Sequence, residues 1–415
     1  MIAKYFKENW KDMLSVLFFL ICYGTSICLF LGGVKDPIIP SDLELPIFMA
    51  CSLAEIIAIS LFVVLEIKIF RMKINIPLVI ILFCLLIMNS IVIIATPLTN
   101  TFEFNYYNSI GITIITITNE WKMMYLICFF LLLLNIYISF NYLIYRINFK
   151  KHFVWICLLC VFFALSLVIY SYIAEWETYK LFIDNIGTTV RDYNPKSITN
   201  NSNNYAAILL GAGFCCYALY IVTNKHIFWV IGLFFCANIV FPMSRICLLL
   251  AIFISLMVFL YRMIVTWKGN AFRNLNLLLL LVLPMVIFVS MCFTIPTLKE
   301  YISTILFTKS SSINERKPLW VIAITMTQGI HRFVGNGHGY FNSAFVISNA
   351  KGIKMPHNLY IQIYGALGFV GLGLFVVLVC FAIYKIIKLF RTNRDAAFVS
   401  LIGLLVVLSY YIMEG

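Results

Sequence analysis

Runs of about twenty apolar residues recur from Met13 to Met413, each long enough as a helix to cross roughly 30 Å of hydrocarbon. Of the 415 residues 63% are hydrophobic and 11% charged, with a mean hydropathy of +0.99. No water-soluble domain could cover its surface from so few polar residues, so lipid is the solvent. The runs are uninterrupted, unlike barrel strands, and backbone polar groups must therefore be satisfied inside helices. The expected fold is all-α and polytopic, with spans near 13–32, 46–67, 76–96, 120–145, 153–173, 204–222, 227–242, 244–264, 275–295, 357–383 and 396–413, about eleven crossings.

A net charge of +13 raises the question of nucleic acid, and the placement of the charges answers it. One alternating set of loops holds 17 of the 30 Lys and Arg but only 4 of the 17 Asp and Glu. It includes Lys4, Lys7, Lys11, Lys68, Arg71, Lys73, Arg146, Lys150, Lys151, Lys225, Arg262, Lys268, Arg273, Lys385, Lys388, Arg391 and Arg394. That is the positive-inside pattern of a membrane protein with a cytoplasmic N-terminus, and no nucleic-acid partner is expected. The thirteen cysteines all lie in or at the ends of apolar runs, which suits packing residues better than a disulfide framework. Cys157 and Cys160 have redox-like spacing but sit in mid-span, without the fold context such a motif needs.

The outer loops divide the chain into 1–203, 204–295, a large extracytoplasmic loop at 296–356, and 357–415. Residues 97–119, rich in Thr and Asn, are expected to form a re-entrant or interfacial cap. The polar run from Thr199 to Asn204 reads as a helix entrance, because Asn and Ser cap first turns. In the large loop, the apolar spacing from Arg316 to Ile330 predicts a helix lying on the membrane surface, broken by Gly335, Gly337 and Gly339. Long structured loops are where function concentrates.

Three of the five histidines, His331, His338 and His357, lie in this loop or at its exit. His357 follows Pro356 at the mouth of a span, at the outer headgroup level, where an imidazole can exchange a proton near neutral pH or simply cap the span. Arg245, after Ser244 at another outer mouth, is an always-charged group in an expensive position that calls for an anion. Arg316 stands one turn before Trp320, where the helix dipole adds attraction for phosphate. Two guanidinium groups suit a diphosphate; the competing reading has them binding lipid headgroups or loop carboxylates such as Glu315. The run Gly335-Asn336-Gly337-His338-Gly339 has backbone suited to cradling phosphate but lacks the Lys-Ser/Thr ending of a P-loop. Glu55 is an intramembrane acid of the kind that serves relays or ion sites. No ligand spacing argues for a metal.

Taken together, these residues resemble the O-antigen ligase and O-antigen polymerase family of bacterial envelope glycosyltransferases over about half the chain, from Asn200 to Ala382. The sharpest element is His357-Asn358, nine residues, then Gly368-Phe369-Val370-Gly371; supporting it are Ser244-Arg245, Arg316 with Trp320, the alternating glycines from Gly335 to Phe341, and Asn203. Two departures are Ser202 in place of the usual Pro and a twelfth helix, often present in relatives, that is natively absent or lies beyond Gly415. The resemblance implies glycosyl transfer at the outer face of the bacterial cytoplasmic membrane, from an undecaprenyl-diphosphate-linked glycan to a hydroxyl of a second glycan or of lipid A core, with no cofactor and no metal. It implies catalytic roles for His357, Arg316 and Arg245, with Asn358, Gly337, His338 and Asn203 among the substrate-binding residues. A flippase or transporter of lipid-linked oligosaccharide is the alternative from another class, and it would call for internal repeats and central charges that the sequence lacks.

Overall fold

The computed structural model describes residues 76–95, the paired strands 99–106 and 109–116, 149–184, 194–199, 201–266, 327–337 and 358–413, with shorter helical pieces between 53 and 61, 126 and 137, 279 and 296, and 316 and 325. In chain order the elements are α1 (Ile76–Ala95), β1 (Thr99–Tyr106), β2 (Ser109–Thr116), α2 (Phe149–Ala174), α3 (Trp176–Asp184), α4 (Ser202–Thr223), α5 (His226–Asn238), α6 (Arg245–Thr266), α7 (His331–Val334), α8 (Leu359–Phe390) and α9 (Arg394–Met413). Six of these, α1, α2, α4, α6, α8 and α9, are long and apolar enough to cross a membrane. The expected span at 13–32 and the acid Glu55 lie outside the described residues, and those at 46–67, 120–145 and 275–295 are described only in pieces.

Around its apolar core the protein also exposes large apolar side chains and buries several polar ones. Phe162 and Ile264 are 70% and 75% exposed, whereas Asn89 and Ser171 are both 0% exposed. Lipid explains the exposed apolar side chains, which cost nothing at its boundary, while polar ones must find protein partners inside.

Within the stretch expected to be a re-entrant or interfacial cap, residues 99–106 and 109–116 pair as antiparallel strands, with Thr99 opposite Thr116 and Tyr106 opposite Ser109. The β-branched and aromatic residues that fill this stretch favour extended backbone, so the described fold is helical with one small sheet. The span expected at 227–242 is shorter. Helix α5 ends at Asn238 after 13 residues, about 20 Å of rise, less than a crossing. Successive turns follow, with the amides of Val240, Phe241 and Met243 donating three residues back at 3.2, 3.3 and 3.2 Å. Pro242 has no N–H to continue a helix, and Met243 takes a left-handed φ of +56°.

The chain forms two compact units. The first comprises Met1–His152, Arg316–Val379 and Glu414–Gly415; the second comprises Phe153–Glu315 and Cys380–Met413. In the second unit α4 is the central helix, and its buried Tyr205, Leu209, Cys216 and Leu219 share a core with Phe235, Cys247, Ile254 and Ile402. Helices α4 and α5 approach closely because Gly232 has no side chain: a Cβ there would lie 2.8 Å from the Tyr217 ring.

Two lateral contacts show that α4 and α6 run parallel. The Tyr217 and Ser255 hydroxyls are 2.7 Å apart, and further along both helices the buried Arg262 guanidinium donates to the Tyr220 carbonyl at 2.8 Å and to that of Ile221. Arg262 thereby satisfies the last carbonyls of α4, beside the left-handed cap Asn224. Tyr261 donates to Asp395 at 2.6 Å and stacks on Phe398, which brings the α8–α9 turn to the same end. That end gathers Lys225, Arg262, Arg391 and Arg394, all from the basic set of loops.

Candidate functional site

At the opposite end of the second unit, the N-termini of α4 and α6 emerge side by side. Asn201 caps α4, its side-chain oxygen accepting from the Asn203 amide at 2.9 Å, as the polar run before this helix predicts. Asn203 sits in the first turn and Arg245 opens α6, after a buried Ser244 whose carbonyl accepts the first helical bond from Leu248. Helix dipoles and the guanidinium therefore place positive potential at one end.

The approach to this end is held by one carboxylate. Glu175 accepts from the Lys196 amide (3.1 Å), the Ser197 amide (2.9 Å) and the Ser171 hydroxyl (2.5 Å). Three donors on one carboxyl group fix the loop that leads into α4 although Ser197 takes a φ of +54°. The Tyr179 hydroxyl lies 3.0 Å from Ser171 Oγ, and burial pushes it well above its ordinary value, so it stays protonated. Tyr172 bonds Asn238 at 2.6 Å, and Tyr172, Tyr179 and Phe182 surround Phe241. Nothing local in the sequence marks which backbone amides Glu175 meets.

The first unit contains the other candidates. Arg316 and Trp320 are both helical and half-buried. Further along, Val321, Ile324, Ile330 and Phe333 are exposed while Ala323 and Thr327 are fully buried, the arrangement expected of a segment facing lipid. Asn358 is buried and caps α8, accepting from the Tyr360 and Ile361 amides at 3.0 and 3.1 Å. His357 and His338 lie outside the described residues.

Helix α8 is not the single span expected at 357–383. Its 32 residues would rise about 48 Å, well beyond the hydrocarbon thickness, and it is broken at Gly368 (φ 63°, ψ −159°). Residues 369–390 alone rise about 33 Å, enough to cross, so the piece from Asn358 to Leu367 is a separate half-helix ahead of the crossing. The motif His-Asn, nine residues, Gly-x-x-Gly therefore starts at the cap of this half-helix and ends at the break.

A broken helix strands carbonyls, and in lipid each unsatisfied one costs several kcal/mol. Here the alternating-glycine run supplies the partners. The Asn336 amide donates to the Gly365 carbonyl at 2.8 Å and the Gly337 amide to that of Ala366 at 2.9 Å. The buried Asn336 side chain donates to Gly365 O at 3.3 Å and to Thr327 Oγ1 at 3.0 Å. Only glycine fits the crossing: a Cβ on Gly335 would lie 2.2 Å from the Ala366 carbonyl and one on Gly368 2.4 Å from that of Phe333. Gly337 is pressed from the other side, where a Cβ would meet Ile93 of α1 at 2.7 Å, and a Cβ on Gly371 would meet Leu367 at 2.1 Å. The Gly337 N–H, read from sequence as part of a phosphate cradle, is thus already engaged with the protein. His331 is likewise occupied, its Nδ1 lying 2.8 Å from the Gly335 carbonyl.

The structure therefore brings Gly337 against the half-helix that Asn358 begins, and places Asn203 and Arg245 at one end of the second unit. Among the described residues no group of three His, Cys, Asp or Glu side chains is placed to hold a metal ion.

The O-Antigen ligase family model matches residues 230–376. No curated protein and no solved structure matches the chain. The matched stretch includes Arg245, Arg316, the glycine run, Asn358 and the break at Gly368; over it the chain is similar to the O-Antigen ligase family, and six of its described helices are long and apolar enough to cross a membrane.

Proposed function

We propose that this protein is a glycosyltransferase that polymerises undecaprenyl-diphosphate-linked oligosaccharide units of a surface polysaccharide, at the outer face of the bacterial cytoplasmic membrane. The observation that carries the reading is the family match over 230–376, which contains the candidate arginines and the whole His-Asn to Gly-x-x-Gly motif.

Bond breaking at the anomeric carbon leaves a lipid diphosphate, and charge grows on its bridging oxygen as the bond lengthens. Arg316 suits a phosphate because a guanidinium donates a planar pair of hydrogen bonds, and Arg245, in the other unit, is suited to one by the same chemistry. Donors already in place where charge develops lower the barrier without reorganisation. His357 accepts the proton of the attacking acceptor hydroxyl, and attack opposite the leaving group inverts the anomeric carbon. Asn203, Asn358 and His338 orient sugar or phosphate oxygens. The reaction is complete with donor and acceptor alone: one glycosidic bond breaks, one forms, and the proton leaves through the imidazole.

The test uses purified protein in lipid vesicles with an undecaprenyl-diphosphate-linked oligosaccharide. His357→Ala is expected to lower transfer by roughly 10²-fold or more while the protein still accumulates in the membrane. Arg316→Lys, which keeps charge but loses the fork, is expected to lower it by roughly ten-fold. Wild-type turnover in His357→Ala would remove the proposed base, and wild-type turnover in Arg316→Lys the proposed diphosphate grip.

A further inference from the structure

We propose that Asn336 is a positioning residue for the transfer reaction, acting by locking the glycine run onto the broken end of the half-helix that Asn358 begins; this rests on the function proposed above. Its backbone N–H and both donors of its side-chain amide reach the protein, at 2.8 Å and 3.3 Å to Gly365 O and 3.0 Å to Thr327 Oγ1. Thr327 is in turn tied to the Ala323 carbonyl at 2.9 Å, so one buried amide joins three pieces of chain: the segment after Arg316 and Trp320, the glycine run, and the half-helix.

What the lock holds is set by covalent connectivity. His338 follows Gly337 directly, and His357 directly precedes the Asn358 cap. From Asn358 to the locked carbonyl of Gly365 is seven helical residues, about 10 Å of rise. A half-helix that short has too few internal hydrogen bonds to hold its own direction, so its orientation depends on what grips its far end. Placement errors of about 1 Å in reacting groups are enough to cost roughly 10²-fold in rate. Asn336 touches neither substrate nor reacting atoms in this account; it decides where the histidine-bearing segments start.

The experiment compares Asn336→Asp and Thr327→Val with wild type, as full-length protein in phospholipid vesicles with an undecaprenyl-diphosphate-linked oligosaccharide as donor. Aspartate keeps the size of asparagine and removes both side-chain donors, so it reads donation rather than volume. The expected result is a fall in kcat of roughly ten-fold or more with KM for the donor within about two-fold, and a smaller fall of the same kind in Thr327→Val. Wild-type kcat in Asn336→Asp, or a rise in KM alone, overturns the proposal. If Asn336→Asp fails to accumulate, Thr327→Val decides, and wild-type kcat there overturns it. Hydrogen exchange at the Asn336 and Gly337 amides separates this proposal from the function it rests on. Slow exchange in wild type that accelerates in Asn336→Asp or Thr327→Val supports the lock even if no glycan is transferred; fast exchange in wild type overturns it.

Discussion

Gly368 is required twice over, by its own backbone conformation and by what lies against it. Its backbone occupies a region open essentially to glycine, and the missing side chain leaves room for the Phe333 carbonyl. Gly368→Ala therefore combines backbone strain of about 1–3 kcal/mol with a contact that neither backbone can yield. The expected outcome is a loss of at least about 2 kcal/mol, read as a clear drop in the thermal midpoint of the detergent-purified protein. A midpoint equal to wild type would mean that the helix is not broken there. The same logic accounts for the glycines here: at Gly335, Gly337 and Gly368 the residue type serves close backbone approach.

At the level of elements, length and hydropathy located α1, α2, α4, α6 and α9 to within a few residues, because lipid imposes a minimum apolar length that a local window can read. The α4 entrance was legible for the same local reason, a run of Asn and Ser before an apolar stretch. The break in α8 was not. Its hydropathy is continuous through Gly368, glycine is common in membrane helices, and the carbonyl partners that permit the break come from Asn336 and Gly337, some thirty residues away. The early end of α5 did have a local signal in Pro242, which apolar length alone overrode. One element-scale consequence concerns sidedness. The loop held by Glu175 and the α8–α9 turn lie at opposite ends of the second unit, so with background cysteines removed a membrane-impermeant thiol reagent should label Lys196→Cys and spare Thr392→Cys in intact spheroplasts. The opposite labelling would invert the proposed orientation.

For the whole molecule, composition alone pointed to lipid as the solvent, and charge placement to the sidedness of a membrane protein. Whether the proposed glycosyltransferase is a polymerase or a ligase depends on the acceptor, a property of a surface that neither apolar length nor motif spacing encodes. The proposed chemistry needs only a lipid-diphosphate donor and a hydroxyl, so the acceptor can be varied with everything else fixed. The decisive measurement is incubation of the purified protein in vesicles with an undecaprenyl-diphosphate-linked repeat unit, with and without lipid A core. The account predicts a ladder of lengthening lipid-linked glycan in the absence of core; transfer only to core would make the protein a ligase, and no glycan transfer to either acceptor would contradict the account.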